Sequence, residues 1–320
     1  MGDSPSVAVV IPSWNSLAYL PCCIDSLREQ EGEIELLVVD NGSGDGSVEY
    51  LEREKVPHVS LPQNVGFAAA VNLGAARTRA PAVLALNADT ALEPGCLRTL
   101  LDALQGDATL GGVQPRILQL EDGESNSSPE AARLYSAGQA LTRDGRAFEL
   151  GMGEEQGPWS AERREVFGVC GAACLLRREL FAALGGYDES YFAFYEDVDL
   201  NVRARIAGRR FEYVPEAVVW HVGNASWQEG FDRPSADNAK LVARNRLATQ
   251  VKFMPAAALP RIAAVEVGSL LRAARERRLG PTLAGKLAAL RWLPRLLRER
   301  RRLRQGGGPS AARSWLGVTR

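Results

Sequence analysis

Between Phe192 and Gly208 the chain reads FAFYEDVDLNVRARIAG, which crowds Glu196, Asp197 and Asp199 behind the aromatics Phe192, Phe194 and Tyr195. Acids gather in the first turn of a helix because its macrodipole favours negative charge there. A solvated helix start is therefore one reading of the cluster, and a carboxylate placed to take a proton is the other. On a helix Glu196 and Asp199 share a face, Asp197 lies about 100° from Glu196, and Asp199 can reach Arg203 four residues on. Three other places carry groups of the same kind. LNADT brings Asn87 and Asp89 to the end of an apolar run, where their oxygens can face a hard divalent cation; the competing role is an N-cap by Asp89 or Thr90. LLVVD closes on Asp40, which can accept hydrogen bonds from a base or ribose, or simply form a turn with Asn41-Gly42. VVWHVG sets His221 after another apolar run, either as a ligand or as a satisfied structural histidine.

The elements that must position these groups alternate in type. VAVVIP (7–12), IELLVVD (34–40), VPHVSLP and AVLALNAD read as strands, separated by helical stretches near 18–30 and 47–54 and by the Ala-rich GFAAAVNLGAARTR. That βαβα order predicts a parallel sheet with helices on both faces, and such sheets bind ligands at the carboxyl ends of their strands. Those ends are 12–15, 40–43, 63–66 and 87–90, all polar or turn-forming. Further on, 118–134 reads as a polar loop, and YSAGQALTRDGRAFELG as a hairpin turning at Arg143-Asp144-Gly145. EVFGVCGAACLLRREL reads as a small-residue strand entering a short helix, RRFEYVPEAVVWHVG as two short strands, and SADNAKLVARNRLATQVKFM as a helix. From 255 to 304 Ala, Leu and Arg dominate, with Pro281 and Pro294 dividing short helices, and 305–320 is expected to be disordered.

With 320 residues, 46% hydrophobic and 24% charged, the chain can bury a sizeable core. The net charge of −1 hides an asymmetry: from Arg261 onward 15 Lys/Arg face 3 Glu, about +12, leaving about −13 on 1–260. Five cysteines (Cys22, Cys23, Cys96, Cys170, Cys174) without a CxxC pair, and only two histidines (His58, His221), argue against a zinc site and for reduced thiols. The opening MGDSPSVAVVIP lacks a basic n-region and no apolar run reaches membrane-spanning length, so a cytoplasmic location is expected. The turn NGSGDGS has neither Walker nor GxGxxG spacing.

Six blocks in order, VVIPSWNSLAYLPCCIDSL, LLVVDNGSGDGS, NVGFAAAVNLGA, LALNADT, GGYDESYFAFYEDVDLNVRARIAG and VPEAVVWHVGNAS, resemble family 2 glycosyltransferases, closest to the rhamnosyltransferase-like branch of cell-surface polysaccharide synthesis. The resemblance covers about Ser6 to Met254. It departs from the pattern at the DXD pair, here Asn87-Ala88-Asp89, which keeps only the second acid. The resemblance implies an α/β GT-A fold: a Rossmann-like, mixed, mostly parallel sheet flanked by helices. The catalytic domain would span 1–254, with a nucleotide half (about 1–115) and an acceptor half (about 116–254), followed by a basic helical appendage at 255–304. It implies that Pro12, Asn15 and Asp40 line the base and ribose pocket, and that Asn64, Gly66, Asn72 and Asn87 lie along the nucleotide-sugar. It also implies that Asp89 and His221 hold Mg2+ or Mn2+ against the diphosphate. Asp197 matches the base position of an inverting transferase, with Glu196 near the acceptor and Asp199 structural. Arg244 and Asn245 match a family feature that could meet the diphosphate or an acid of the core, or lie on a solvated helix face. Aromatics and a closed acceptor would raise the pKa of Asp197 by desolvation, while a helix N-terminus would lower it.

The donor expected on this reading is a nucleotide-diphosphate sugar, dTDP-rhamnose or a UDP-hexose, and the acceptor a saccharide or lipid-linked glycan. A sugar nucleotidyltransferase is the alternative enzyme, weakened because IPSWNSL lacks that class's Gly-rich basic loop. An inactive nucleotide- or glycan-binding module is the alternative outside catalysis. Leucines and arginines alternate in helical patches over 270–304, as in LRWLPRLLRERRRLR. Such a face can lie on an anionic membrane, pack on the body or mediate self-association; the acidic body disfavours nucleic acid.

Overall fold

A computed structural model describes residues 5–120, 129, 132–223 and 235–305. The amino-terminal half alternates as the apolar runs predict: β1 (Val7–Ser13), α1 (Leu20–Arg28), β2 (Ile34–Asp40), α2 (Ser47–Arg53), β3 (His58–Ser60), α3 (Phe67–Arg77), β4 (Ala82–Leu86), β5 (Thr90–Leu92), α4 (Cys96–Gly106) and β6 (Leu110–Gln119). The second half adds β7 (Leu134–Ser136), β8 (Gln139–Leu141), β9 (Ala147–Glu149), β10 (Arg164–Val166), β11 (Ala173–Arg177), α5 (Arg178–Ala183), α6 (Glu196–Ile206) and β12 (Arg210–His221). Helices α7 (Ala236–Phe253), α8 (Leu259–Arg275), α9 (Leu279–Arg291) and α10 (Leu293–Gln305) close the described chain.

One mixed sheet runs β10-β12-β6-β11-β4-β1-β2-β3, with β5 on β12 and β7 on β6. The pairs β3-β2, β2-β1, β1-β4 and β6-β12 are parallel, and β11 enters antiparallel between β4 and β6. Both faces are covered, so the central strands are apolar throughout and alternate between two cores. Val7, Val9 and Ile11 pack with α1 and α4 on one side; Val10, Val83 and Ala85 pack with α3 on the other. The Ala-rich α3 lies very close to the sheet: a Cβ at Gly74 would stand 2.3 Å from Cγ1 of Val10.

RRFEYVPEAVVWHVG forms one strand rather than the two expected. β12 pairs with β6 along its length and shifts register between Val214 and Val218. Pro215 lacks an N–H for the ladder, and the apolar residues on either side keep the strand in the sheet across the irregularity. Pro281 and Pro294 stand in the first turns of α9 and α10, where a missing N–H costs nothing. The expected hairpin is β8-β9. Most of the 118–134 loop, and the tail 306–320, lie outside the described residues.

The carboxyl-terminal helices dock on the body through α7, against which α9 and α10 pack. Glu266 of α8 pairs with Arg246 of α7 at 3.0 Å and with Lys286 of α9. The Trp292 ring receives the guanidinium of Arg244 at 4.6 Å.

Candidate active site

The ends of β1 and β2 come into register at Ser13 and Asp40, and their loops are stitched together. Asn15 Oδ1 accepts from Gly44 N–H (2.9 Å), Ser43 Oγ accepts from Asn15 N–H (2.8 Å), and Asn41 Oδ1 accepts from Val65 N–H (3.3 Å). Oδ2 of Asp40 caps its own turn, taking Gly42 and Ser43 N–H at 3.0 Å each. Its Oδ1 and the Oγ of Ser13 are buried without a partner among the described residues. Buried polar atoms are normally paired, so this pair of atoms is open to a polar ligand. Pro12 stands beside them in β1, past the last β1-β4 pair at Val10, and is half-buried. Exposed Trp14 stands at the same edge. Asn64 Oδ1 accepts from Gly66 N–H, shaping the entry to α3.

At the end of β4, Asn87, Asp89 and His221 converge. His221 Nε2 lies 3.2 Å from Asp89 Oδ1 and 3.1 Å from Asn87 Nδ2, and Gly223 N–H donates to Asp89 Oδ2. The strand ends β4 and β12, far apart in sequence, meet here because β5 pairs with the end of β12. Burial works to raise the Asp89 pKa, but His221 and the Gly223 amide outweigh it and hold the carboxyl below its ordinary value. A carboxylate kept ionised, an imidazole nitrogen and a side-chain amide at one point suit a divalent cation in their donor chemistry. The ring of Tyr135 packs edge-on to His221, centroids 4.3 Å apart.

Asp197 sits at the start of α6, one residue of backbone away from this cluster. Its Oδ2 accepts from Gly171 N–H at 3.0 Å, while the neighbouring Ala172 carbonyl accepts from Asn87 N–H at 2.9 Å. The same short segment thus anchors both carboxylate centres. Burial raises the Asp197 pKa and prevails over the N–H groups of Gly171 and Val198 and the Gln139 amide that favour its charged form. Desolvation, rather than the helix terminus, wins that contest. Glu196 is 6% exposed, and burial followed by repulsion from Asp197 raises its pKa well above the usual carboxylate range. Its Oε2 has no partner among the described residues. Asp199 is structural, as expected: it accepts from Arg203 Nε and from Lys252 Nζ, both at 2.6 Å.

A family model described as glycosyl transferase family 2 matches residues 8–185, more than half of the chain. The chain belongs to this family. The glycosyltransferase is 32% identical over 214 residues to an N-acetylglucosaminyl-diphospho-decaprenol L-rhamnosyltransferase of Mycobacterium tuberculosis, covering 60% of this chain and 67% of that protein. It is 29% identical over 229 residues to an N-acetylglucosaminyltransferase of Rhizobium sp., covering 67% of this chain and 48% of that one. Its fold matches the crystal structure of GalNAc-T7 with UDP, GalNAc and Mn2+ (TM-score 0.60, 16% identity, 78% of this chain and 48% of the other). The mixed, mostly parallel sheet with flanking helices is thus the GT-A architecture.

Two site features of this glycosyltransferase have partners within the protein that the sequence does not show. Asn72 Nδ2 donates to Tyr187 O (2.9 Å) and Glu189 Oε1 (3.0 Å), and its Oδ1 accepts from Tyr187 N–H (2.8 Å). The amide is spent bracing α3 against the segment that leads to the acids. Arg244, half-buried, and Asn245, buried, are engaged by backbone carbonyls. Asn245 Nδ2 lies within 2.7–2.9 Å of the carbonyls of Tyr191, Ala193 and Phe194, and Arg244 donates to those of Ser190 and Tyr191. They clamp a turn in which Phe192, Phe194 and Tyr195 all take positive φ (66°, 67° and 70°). Gly66 abuts this turn: a Cβ there would stand 2.6 Å from the Phe192 ring, and Ala68 N–H donates to Phe192 O. Donor-side and acid-side motifs are therefore in contact.

A third carboxylate escaped the sequence reading. Glu149, at the end of the hairpin, brings an oxygen within 4.8 Å of a carboxylate oxygen of Asp197 and of Cys170 Sγ. Only its place in a hairpin was readable, because the hairpin meets α6 through tertiary packing.

Proposed function

We propose that this glycosyltransferase inverts configuration, moving a sugar from a nucleotide-diphosphate donor of the dTDP-rhamnose or UDP-hexose type to a hydroxyl of a lipid-linked saccharide. The observation that carries this reading is the pair of carboxylates Asp89 and Asp197, in two clusters that the 170–172 segment ties together through Asn87 and Asp197. Asp89 is held low beside an imidazole, whereas Asp197 is pushed up by burial. Titratable neighbours whose environments drive their pKa values apart mark a division of labour. Asp197 takes the proton of the acceptor hydroxyl as its oxygen bonds to the anomeric carbon. The bond from that carbon to the diphosphate breaks on the opposite side, and the nucleoside diphosphate leaves.

Asp89, His221 and Asn87 would hold Mg2+ or Mn2+, which supplies charge neutralisation at the departing diphosphate. Asp40, Ser13, Pro12 and Asn15 bind the base and ribose, with the open Oδ1 of Asp40 as acceptor; Asn64 and Gly66 shape the path of the diphosphate-sugar. Glu196, whose acid form burial favours, can donate a hydrogen bond to the acceptor sugar. The GalNAc-T7 structure holds UDP and Mn2+ on the same architecture, and the rhamnosyltransferase relative is named for a lipid-diphosphate-linked acceptor; both support this assignment of substrates. The α8–α10 region would hold the enzyme at an anionic inner-leaflet surface, where such acceptors sit.

Isothermal titration with dTDP-rhamnose, UDP-glucose and UDP-N-acetylglucosamine, with and without Mn2+, tests the donor half. One of them should bind at least about tenfold more tightly with Mn2+, and Asp89→Ala should abolish that gain. Equal metal enhancement in the variant would remove Asp89 as ligand.

A further inference from the structure

The hairpin β8-β9 reaches the base through one side chain. Gln139 and Glu149 are directly opposite in the ladder, and Gln139 is 2% exposed. Its Nε2 donates both to Glu149 Oε1 and to Asp197 Oδ2, each at 3.0 Å. The amide cannot turn over, because its Oε1 accepts from Asn201 Nδ2 at 2.9 Å, and Asn201 is itself fixed by Val169 O. Glu149 is held in turn: its Oε2 accepts from Ser136 Oγ at 2.6 Å, and that hydroxyl accepts from Gln114 Nε2. Two carboxylates thus divide the two hydrogens of a single buried amide.

We propose that Glu149 is a positioning residue for the base, acting through Gln139. By taking one N–H of the amide it directs the other onto Oδ2 of Asp197, which also receives Gly171 N–H. Oδ2 is then committed to the protein. Oδ1, which accepts from Val198 N–H at 2.7 Å, keeps a lone pair for the incoming proton. The titratable groups facing Glu149 are Asp197 from α6, Cys170 from the segment before β11 and Tyr135 from β7. Burial, followed by the charge of Asp197, pushes Glu149 up to about 7. Burial keeps the Cys170 thiol protonated, so it can donate to Glu149.

This inference rests on Asp197 being the base, and its test separates the two. Transfer from dTDP-rhamnose to N-acetylglucosaminyl-diphospho-decaprenol is followed against pH with the full chain and with Glu149→Gln, Glu149→Ala and Asp197→Asn. Glu149→Gln keeps an oxygen for Gln139, and its kcat, acidic limb and donor KM should stay within about threefold, about 0.3 pH unit and about twofold of the parent. Glu149→Ala frees the amide, and its kcat should fall by about tenfold or more with donor KM again unchanged. Parental kcat in Glu149→Ala would overturn the proposal, as would losses confined to KM or a loss in Glu149→Gln as large as in Glu149→Ala. If Glu149→Ala fails to fold, Gln139→Met, which removes the amide that Glu149 directs, should show the same loss of kcat, and parental kcat there overturns the proposal. Should Asp197→Asn transfer at the parental rate, the base assignment itself falls. An inactive Asp197→Asn with parental kcat in Glu149→Ala removes only the role of Glu149.

Discussion

Asp197 is pulled in opposite directions by its surroundings. A helix start, two backbone N–H groups and an amide favour its anion, while the loss of water around it favours the acid, and burial prevails. A base with a raised pKa is the better proton acceptor once the donor hydroxyl acidifies during bond formation. The consequence for pH is fixed in sign: activity falls on the acid side as Asp197 is protonated, sooner than for an ordinary aspartate. The neighbouring acids show how position decides role. Glu196, one residue away and buried, has its pKa raised well above the usual carboxylate range by desolvation and by the charge of Asp197. Asp199, two residues beyond Asp197, is neutralised by Arg203 and Lys252. Three acids within four residues therefore have three different environments, and only the Asp199–Arg203 pair follows from helical spacing alone.

At the scale of elements, the turn from Phe192 to Tyr195 stores strain. Three non-glycine residues at positive φ each cost on the order of 1–3 kcal/mol, and such turns persist only where their surroundings over-determine them. Asn245 supplies that restraint from α7. Replacing it with Ala removes its donor from the Ala193 and Phe194 carbonyls, while Tyr191 O keeps Arg244, so stability in a denaturant titration should fall by about 1–3 kcal/mol. The kcat for transfer should fall further than stability alone explains, by about tenfold or more, because α6 and Asp197 follow the turn. Parental kcat in a folded Asn245→Ala would mean that the turn does not position the base. The strand ends were legible from apolar runs closed by polar residues, and with them Asp40, Asn87, Asp89 and His221. The clamp was not, because Asn245 lies over 50 residues from the carbonyls it holds. Nor was Gln139, which reaches Asp197 across 58 residues of sequence. Helical and strand periodicity describe neighbours within an element, and both contacts are made between elements. The single strand β12 was missed for a local reason: Pro215 punctuates the sequence but only shifts the register of the ladder.

Across the whole molecule, an acidic catalytic body carries a basic helical cap. Of the twelve large apolar side chains left exposed among the described residues, nine lie on α8–α10, among them Leu271, Leu283, Leu287 and Leu297. Exposed arginines flank them, including Arg272, Arg275, Arg291 and Arg298. Apolar side chains rimmed by cations are complementary to an anionic bilayer surface. No described helix is long and apolar enough to cross a membrane. The full chain should therefore co-sediment with vesicles containing phosphatidylglycerol, and less so with phosphatidylcholine alone or at high salt. Leu283→Asp with Leu287→Asp, both on exposed positions, should reduce that binding by about tenfold or more. Binding that ignores lipid charge and both substitutions would leave the cap as packing only.

The division of labour between Asp197 and the Asp89 cluster, tied together through the 170–172 segment, is the centre of the proposed reaction. Asp197→Asn tests it most directly, measured by calorimetric donor binding and by transfer on the same preparation. The variant should bind the nucleotide-sugar with Mn2+ as the parent does, while kcat for transfer drops by about 10² to 10⁴. Parental turnover, or a loss of donor binding that accounts for the lost activity, would contradict it.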